Sequence, residues 1–414
     1  FAINTLCKIL SNSIKNEPTL VKRVHNRRLN ETVQLEDIAN INVRGEKLKF
    51  PFVWLRENCQ CDHCFHKTAK SRVLQWGDLN LNVQPVNMEQ IENSIKIVWD
   101  DGHSSSYDLD WLKFRSFKPE DQKKYTDSFY RPAKVPWEGK QFQDIFTKYD
   151  YSELLESDAK LYDLLYNLSV YGVTLINNTP DSETAVDALI NKIGFVRKTH
   201  YGEKYIVQQV VVTNNVAYLN SNLQMHTDLP YYEYCPGVNV LHCRVQTASE
   251  GGENLLTDCQ FVANYMKEKH PNEYHLLTTL EVEWSDVGVE EGNEFYKLHR
   301  SPVITLDKTG NVLRTKLSIP QRGSHFLGNV ENVKPWYEAH ALFLDLSHKF
   351  AANFRTNEGK TLVFDNSRLL HGRKAYKDTQ NNVRRVIGAF MDWDEIYSRL
   401  RCLKVKLDGG TPTN

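Results

Sequence analysis

The sequence predicts a mainly β protein with flanking helices, in which a small domain precedes a larger barrel or jelly roll. First, short segments that alternate apolar and polar residues fill residues 33–116. Second, many apolar segments of strand length lie between residues 173 and 394. Third, a charged, proline-containing stretch at 117–145 has the composition of a linker. We therefore predict an N-terminal domain over 33–116 and a second domain over 146–405.

The second domain is predicted to open with two helices. Segments 151–172 and 183–194 repeat apolar residues at helical spacing, and each ends at a glycine. A further helix is predicted over 333–354. The remaining apolar segments predict strands. They are VTLIN, IVQQVVVT, VNVLHCRVQT, LEVEWSDVG, VITLD, VLRTKLS, TLVFDN and RRVIGAFMDWD.

Composition argues against two classes of partner. The 414 residues carry a net charge of −1, so the sequence predicts neither nucleic acid nor an anionic membrane surface as a partner. No apolar run approaches the roughly 20 residues that cross a bilayer.

The first thirty residues are basic. This composition is typical of a mitochondrial transit segment and equally of a solvated basic tail, so the predicted location is mitochondrial or cytoplasmic. The basic residues are Lys8, Lys15, Lys22, Arg23, Arg27 and Arg28, and the single acid is Glu17.

The segment QMHTDLP carries the strongest chemical signal. His226 and Asp228 alternate along a predicted strand, so both side chains point to one face. His371 follows the predicted strand TLVFDN. An HxD motif alone is weak, but two histidines and a carboxylate form the facial triad of non-haem Fe(II) oxygenases. Three protein ligands leave positions for O₂ and a bidentate co-substrate.

Arg384 follows His371 in the next predicted strand. A guanidinium there can hold the distal carboxylate of a 2-oxoacid by two charge-assisted hydrogen bonds, which favours 2-oxoglutarate as co-substrate. Arg385 is the competing candidate, and strand alternation turns only one of the two inward.

Three cysteines within WLRENCQCDHCF predict a structural zinc site or, alternatively, three reduced thiols on a loop. A tetrahedral site needs a fourth ligand. The spacing leaves His63, His66 and His103 open for that position.

These segments resemble the γ-butyrobetaine hydroxylase family, which includes trimethyllysine hydroxylase. The likeness covers residues 45–405 and rests on WLRENCQCDHC, NNVAY before HTD, RLLHGRK and DWDEIYSRLRCLK. It implies a zinc-bearing N-terminal domain on a double-stranded β-helix (jelly-roll) oxygenase domain. It further implies a homodimer, dependence on Fe(II), 2-oxoglutarate and ascorbate, and a small quaternary-ammonium substrate such as γ-butyrobetaine, which is converted to L-carnitine.

The resemblance also implies site residues. The zinc ligands are Cys59, Cys61, Cys64 and His103, and the iron ligands are His226, Asp228 and His371. The contacts to 2-oxoglutarate are Arg384, the Leu241 backbone and Asn254, which replaces a small hydroxyl residue of the family. The substrate contacts are Tyr201, Tyr205, Asn215, Tyr218 and Phe390.

Four of the implied substrate positions differ from the family. Aromatic faces suit a trimethylammonium group, which cannot donate hydrogen bonds. Here Tyr205 replaces a Trp, Phe390 a Tyr, Leu229 a Tyr, and Ser318 an Asn that contacts the substrate carboxylate. Trimethyllysine or another ammonium compound is therefore the alternative substrate.

Two alternatives belong to other classes of protein. A metal-stabilised scaffold without catalysis is disfavoured by the intact set of iron ligands. A nucleic-acid reader built on the cysteine cluster is disfavoured by the neutral charge.

Overall fold

The computed structural model describes residues 37–208, 220–290, 292–378 and 382–409. Two compact units divide the chain, the first ending at Lys123 and the second beginning at Lys124. The basic segment over residues 1–30 lies outside the described residues. Within the described ranges no helix has the length and apolar character needed to cross a membrane.

The N-terminal unit consists of short antiparallel strands and three helices. The strands are β1 (Ile38–Val43), β2 (Glu46–Pro51), β3 (Phe65–His66), β4 (Ser71–Arg72), β5 (Pro85–Ile91), β6 (Ser94–Trp99) and β7 (Ser104–Asp108). The helices are α1 (Phe52–Glu57), α2 (Leu109–Phe114) and α3 (Pro119–Tyr125). Alternate residues of β1, β2 and β6, such as Ile41, Leu48 and Ile97, form its core. Asp108 starts α2 because its carboxylate accepts hydrogen bonds from two backbone N–H groups of the first turn.

The second unit contains the remaining elements. Its helices are α4 (Phe142–Ile145), α5 (Tyr151–Glu156), α6 (Asp158–Tyr171), α7 (Ala185–Ile193), α8 (Cys259–Lys269), α9 (Pro271–Thr279), α10 (Val333–Lys349) and α11 (Trp393–Leu407). Its first strands are β8 (Lys148–Asp150), β9 (Val173–Asn177), β10 (Lys204–Val207), β11 (Leu223–His226), β12 (Val238–Val245), β13 (Asn254–Asp258), β14 (Val282–Glu290) and β15 (Asn293–Ser301). The others are β16 (Ile304–Leu306), β17 (Val312–Thr315), β18 (Arg322–Phe326), β19 (Ala352–Phe354), β20 (Lys360–Asp365), β21 (Leu369–Arg373) and β22 (Arg385–Met391).

Two sheets form the double-stranded β-helix of this unit. The larger sheet has the order β10-β22-β12-β20-β9-β8, and the smaller has the order β11-β21-β13-β19. Leu362 and Phe364 of β20 pack with Leu256 and Leu369 of the smaller sheet, whereas Val363 packs with the helices. This alternation places one apolar core between the sheets and another under the helices.

Helices cover both sheets. Apolar residues of α5, α6, α7 and α11 pack on the larger sheet. Residues of α8, α9 and α10 pack with β14, β16 and the smaller sheet. The predicted helix over 151–172 is two helices, because the Ser157 side chain accepts a hydrogen bond from the Lys160 N–H and starts α6. Gly172, with φ 78°, ends α6 as predicted.

The stretch predicted as a linker is partly helical and partly buried. It contains all of α3 and all of α4. Trp137 is 1% exposed, its indole N–H donates to the Tyr171 carbonyl at 2.7 Å, and its backbone N–H donates to Asp258. Despite its charged composition, this stretch therefore contains a buried residue that anchors it within the second unit.

Candidate functional site

The predicted iron ligands meet at one point. His226 ends β11 and is the direct cross-strand neighbour of His371 in β21. His226 Nε2 lies 3.4 Å from Asp228 Oδ1, and His371 Nε2 lies 3.7 Å from Asp228 Oδ2. The ligand atoms of all three lie within 4.8 Å of one another. The predicted local placement was wrong in two details: Asp228 follows the strand, and His371 lies within one.

Hydrogen bonds orient the three ligands. The Nδ1–H of His226 donates to the Gln224 carbonyl at 2.8 Å, which leaves the Nε2 lone pair directed at the cluster. The Asn239 side chain donates to Asp228 Oδ2. Asn366 holds the Asp228 backbone, accepting from its N–H at 2.7 Å and donating to its carbonyl at 3.0 Å. Sequence patterns did not indicate Asn239 or Asn366, although Asn239 interrupts the apolar run of β12.

The charges of the cluster favour a cation. Burial lowers the pKa of His226, but the Asp228 carboxylate outweighs burial and leaves that pKa raised. Burial, together with the His226 charge, lowers the pKa of His371 to about 4. Burial raises the pKa of Asp228, but the two imidazoles outweigh it and leave that pKa lowered. Two nitrogens and a carboxylate that converge in this way fit a divalent metal ion such as Fe(II).

A cavity of about 70 Å³ opens beside the cluster. Arg384, Leu241 and Asn254 line it together with the three ligands. Arg384 is 6% exposed, and burial lowers its pKa. Among the described residues no carboxylate forms an ion pair with Arg384, whereas Arg385 turns away to Glu183 at 3.2 Å. Strand alternation thus places the Arg384 guanidinium at the cavity, where it can bind an anion.

The cysteine cluster has the dimensions of a zinc site. The sulfurs of Cys59, Cys61 and Cys64 lie 3.2, 3.6 and 3.5 Å from Nε2 of His103. A tetrahedral zinc with bonds of about 2.3 Å to sulfur and 2.0 Å to nitrogen separates these atom types by roughly 3.5 Å. His63, left open by the spacing, is exposed and does not join the cluster.

Arg56, which the sequence patterns did not single out, contacts this cluster. It is 6% exposed and donates to Cys64 Sγ at 3.5 Å and to Asp101 Oδ2 at 2.8 Å. Burial, together with the Cys59 charge, raises the pKa of Cys64 to about 12. The pKa of Cys59 is also raised by burial, whereas hydrogen bonds lower that of Cys61, and a zinc ion would hold all three sulfurs as thiolates.

Comparison with known proteins identifies the family of the chain. The sequence profile of the "Taurine catabolism dioxygenase TauD, TfdA family" matches residues 134–389. The profile "Gamma-butyrobetaine hydroxylase-like, N-terminal" matches residues 35–113. The chain belongs to the TauD/TfdA dioxygenase family.

Curated relatives narrow the family further. Gamma-butyrobetaine dioxygenase of Homo sapiens is 33% identical over 88% of this chain and 94% of the human protein. Gamma-butyrobetaine dioxygenase of Pseudomonas sp. (strain AK-1) is 28% identical over 87% of this chain and 92% of that protein. Mitochondrial trimethyllysine dioxygenase of Bos taurus is 26% identical over 89% of this chain and 86% of the bovine protein. The chain is therefore a 2-oxoglutarate-dependent hydroxylase of the γ-butyrobetaine and trimethyllysine hydroxylase family.

The aromatic residues expected at the substrate lie together in this dioxygenase. The Tyr205 ring stacks on Phe390 at 5.0 Å, and Tyr201 lies 6.3 Å from Tyr205. The Tyr205 hydroxyl donates to Asn239 Oδ1 at 2.9 Å, which links the aromatic group to Asp228. A Cβ at Gly388 would lie 2.2 Å from Tyr205 Cζ, so the glycine makes room for this ring. Asn215 and Tyr218 lie outside the described residues.

Two positions that differ from the family pattern have well-defined surroundings in this dioxygenase. Leu229 directly follows Asp228, has φ 56° and is 5% exposed. Ser318 is 2% exposed, and its hydroxyl donates to Gln321 Oε1 at 2.7 Å. Because that hydroxyl already donates within the protein, Ser318 is a weaker donor to a substrate than the amide it replaces.

Asp286 of β14 is a candidate site residue that the sequence patterns did not indicate. It is half-buried, and burial raises its pKa although the Tyr231 hydroxyl lowers it. The pKa of Tyr231 is raised by burial and by the proximity of Tyr201 and Asp286. These contacts connect Asp286 to the aromatic group of this dioxygenase. Tyr231 is distant from Asp286 in sequence, so strand alternation could not predict the connection.

Proposed function

We propose that the chain hydroxylates γ-butyrobetaine to L-carnitine and so serves carnitine biosynthesis. The observation that carries this proposal is one cavity that joins the His226, Asp228 and His371 cluster to Arg384 and to Tyr205. A dicarboxylate co-substrate, a metal ion and an organic cation each find matching chemistry within that arrangement.

His226, Asp228 and His371 hold Fe(II) in this proposal, and Cys59, Cys61, Cys64 and His103 hold a structural zinc ion. Bound Fe(II), with 2-oxoglutarate and O₂, supplies oxidative hydroxylation of an unactivated carbon–hydrogen bond. Ascorbate is the proposed reductant that keeps the iron in its ferrous state. Asn239 fixes the orientation of the Asp228 carboxylate, so the ligand set is preorganised before substrate binds.

Arg384 binds the distal carboxylate of 2-oxoglutarate in this proposal. Its burial strengthens that interaction because solvent screening is reduced inside the cavity. Leu241 contributes backbone contacts, and Asn254 takes the place of the family's hydroxyl residue. The Asn254 amide donates to Thr356 Oγ1 at 2.8 Å, which leaves its carbonyl oxygen and second N–H for other contacts.

The substrate ammonium group is proposed to lie against Tyr201, Tyr205, Tyr218 and Phe390, with Asn215 at the substrate carboxylate. The support is the contact of Tyr205 with both Phe390 and Asn239, since it joins the aromatic faces to the iron ligands. Aromatic rings also exclude water from the reacting carbon and attract the cation.

Trimethyllysine is the second candidate substrate. Leu229 and Ser318 leave room for a substrate other than γ-butyrobetaine, because Leu229 takes the place of a family tyrosine and the Ser318 hydroxyl already donates to Gln321. A homodimer and a mitochondrial or cytoplasmic location are also proposed. Three trimethyllysine dioxygenases among the relatives are named as mitochondrial proteins. Sedimentation velocity of the full chain tests the dimer.

Succinate release tests the proposed reaction. Anaerobically purified, Fe(II)-loaded protein is given 2-oxoglutarate, O₂ and either γ-butyrobetaine or trimethyllysine. His226→Ala is the inactive control, and His275→Ala, an exposed histidine, is the matched variant that retains activity. We expect release stimulated by γ-butyrobetaine, with L-carnitine identified by mass spectrometry.

Succinate release that is stimulated by trimethyllysine but not by γ-butyrobetaine would show that trimethyllysine is the substrate. Iron binding without stimulation by either compound would favour a metal-stabilised scaffold instead.

A further inference from the structure

A buried lysine lies outside the proposed catalytic machinery. Lys316 directly follows β17, and its side chain is 2% exposed. Its ammonium donates to the Tyr232 carbonyl at 2.8 Å, across 84 residues of sequence. Within the described ranges no carboxylate forms an ion pair with Lys316. Burial therefore lowers the pKa of Lys316, which enriches the neutral, nucleophilic amine.

Cys235 shares the hydrogen-bond acceptor of this lysine. Its sulfur donates to the Leu229 carbonyl at 3.1 Å and to the Tyr232 carbonyl at 3.3 Å. The Lys316 ammonium lowers the pKa of the Cys235 thiol, although burial outweighs it and leaves that pKa raised. The sulfur and the amine nitrogen thus lie against the same carbonyl oxygen, that of Tyr232.

Solvent reaches the thiol. Cys235 is half-buried and lines an open cleft of about 630 Å³ together with Tyr234 and Arg314. Cys243 and Cys259, by comparison, are only 2% and 0% exposed. A small neutral oxidant can therefore attack Cys235 while those two thiols are protected.

We propose that Cys235 and Lys316 form a covalent sulfur–nitrogen bond when the protein meets hydrogen peroxide. Peroxide first oxidises the thiol to a sulfenic acid and is reduced to water. The Lys316 amine then attacks the sulfur, the sulfur–oxygen bond breaks, and the hydroxyl leaves as water with a proton from the amine. The net change is loss of one hydrogen from the thiol and one from the amine. A thiol reductant reverses the bond.

The bond would fix the turn that follows an iron ligand. Residues 229–235 begin directly after Asp228, and the Thr227 N–H donates to the Leu317 carbonyl at 2.8 Å. Lys316 therefore lies next to a segment already hydrogen-bonded to the strand end that carries His226 and Asp228. A covalent link at this place restricts the turn without changing any proposed metal ligand.

Peptide mass spectrometry of the full, metal-loaded chain tests the proposal. The protein is treated with hydrogen peroxide, free thiols are alkylated, and the digest is compared with and without dithiothreitol. We expect a peptide pair joining Cys235 to Lys316, lighter by two hydrogens than the sum of its parts and absent after reduction. Cys402, an exposed thiol, reports simple oxidation in the same sample.

Variants and a physical measurement complete the test. Cys235→Ser and Lys316→Met each remove the joined peptide, and the wild-type unfolding temperature rises with peroxide and falls again with dithiothreitol. Oxidation of Cys235 to a sulfinic acid without any joined peptide would overturn the proposal. A joined peptide that contains a different lysine would also overturn it. Neither result depends on the proposed substrate.

Discussion

Arg384, directly before β22, and Arg385, its first residue, point to different surroundings. Arg384 lines the cavity beside the iron ligands, while Arg385 contacts Glu183 on the surface. We expect Arg384→Lys to raise the KM for 2-oxoglutarate roughly 10- to 100-fold, because a lysine cannot make the paired hydrogen bonds of a guanidinium. Arg385→Lys is the matched control, with a KM near that of the wild type. Equal changes in KM for the two substitutions would show that Arg384 does not bind 2-oxoglutarate.

His340 makes the stability of the second unit depend on pH. It is 5% exposed, stacks on Trp336 at 4.9 Å, and has its pKa lowered from 6.5 to about 4 by burial and by the Arg322 charge. The unfolded state therefore binds the proton more tightly, so the stabilising contribution is present above pH 6.5 and is lost as pH falls towards 4.

We expect His340→Phe to reduce the loss of stability between pH 7 and pH 5 by about 2 kcal/mol, measured by chemical denaturation. His348→Phe, at an exposed position of the same helix, serves as the control. An unchanged pH slope in His340→Phe would show that this imidazole does not titrate as described.

Residue patterns predicted the iron ligands and Arg384 because each carries its own chemical signature. Two histidines, a carboxylate and a strand-borne arginine are rare in this order. Asn239 and Asp286 carry no such signature, since asparagine and aspartate are common on surfaces and in turns. Their importance depends on cross-strand neighbours, which exist only in the folded register.

A buried ion pair joins several elements of the second unit. Arg368 and Asp258 are 2% and 0% exposed, with 2.8 Å between Nη2 and Oδ2. Arg368 also donates to the carbonyls of Val135 and Val170 at 2.7 and 2.8 Å. This pair therefore fixes the stretch around residue 135 to the end of α6 and to β13.

We expect Arg368→Met to destabilise the protein by about 3–5 kcal/mol, because it leaves a buried carboxylate without a counter-charge. Arg368→Met combined with Asp258→Leu should recover part of that loss in chemical denaturation. Lys334→Met, which removes an exposed pair with Glu338, should cost under about 1 kcal/mol. A loss of that small size for Arg368→Met would mean that the buried pair is dispensable.

Several helices escaped the sequence patterns for a physical reason. The strand prediction VTLIN matches β9, in which the first four residues are buried. Helices α8 and α11 instead mix charges with apolar residues and directly follow strands, so their apolar periodicity is weak. The carboxylate of Asp258 does start α8 by accepting the Gln260 N–H, and that capping signal was present in the sequence but not recognised.

We predict that the two compact units respond separately when metal ions are removed. The first unit is small, with one hydrophobic cluster and the cysteine cluster. We expect a strong zinc chelator to make Cys59, Cys61 and Cys64 reactive to a thiol reagent and residues 37–123 sensitive to protease, because structural zinc contributes directly to folding energy. The region from residue 124 onward should at first remain resistant to the protease.

Zinc-saturated chelator is the control for that measurement. Unreactive cysteines after complete chelation, with residues 37–123 still protected, would show that this unit folds without metal.

The prediction of two domains rests on two kinds of segment that differ in composition and in chemistry. The cysteine cluster lies in the first and the HxD motif in the second. The order of strands within the two sheets was not visible, since β11 pairs with β21 and β12 pairs with β20 and β22 across long intervening segments. Such pairing depends on tertiary packing rather than on local pattern.

The direct pairing of His226 with His371 also determines when, during synthesis of the protein, the iron site can form. A ribosome that has just released His226 has still to make most of the second unit before the opposing strand exists. The nascent chain therefore cannot offer the complete iron site, and the early histidine cannot hold the metal in its final geometry. Cells must supply iron to this protein late, after the last strands emerge, while the cysteine cluster can receive its ion near the beginning of translation.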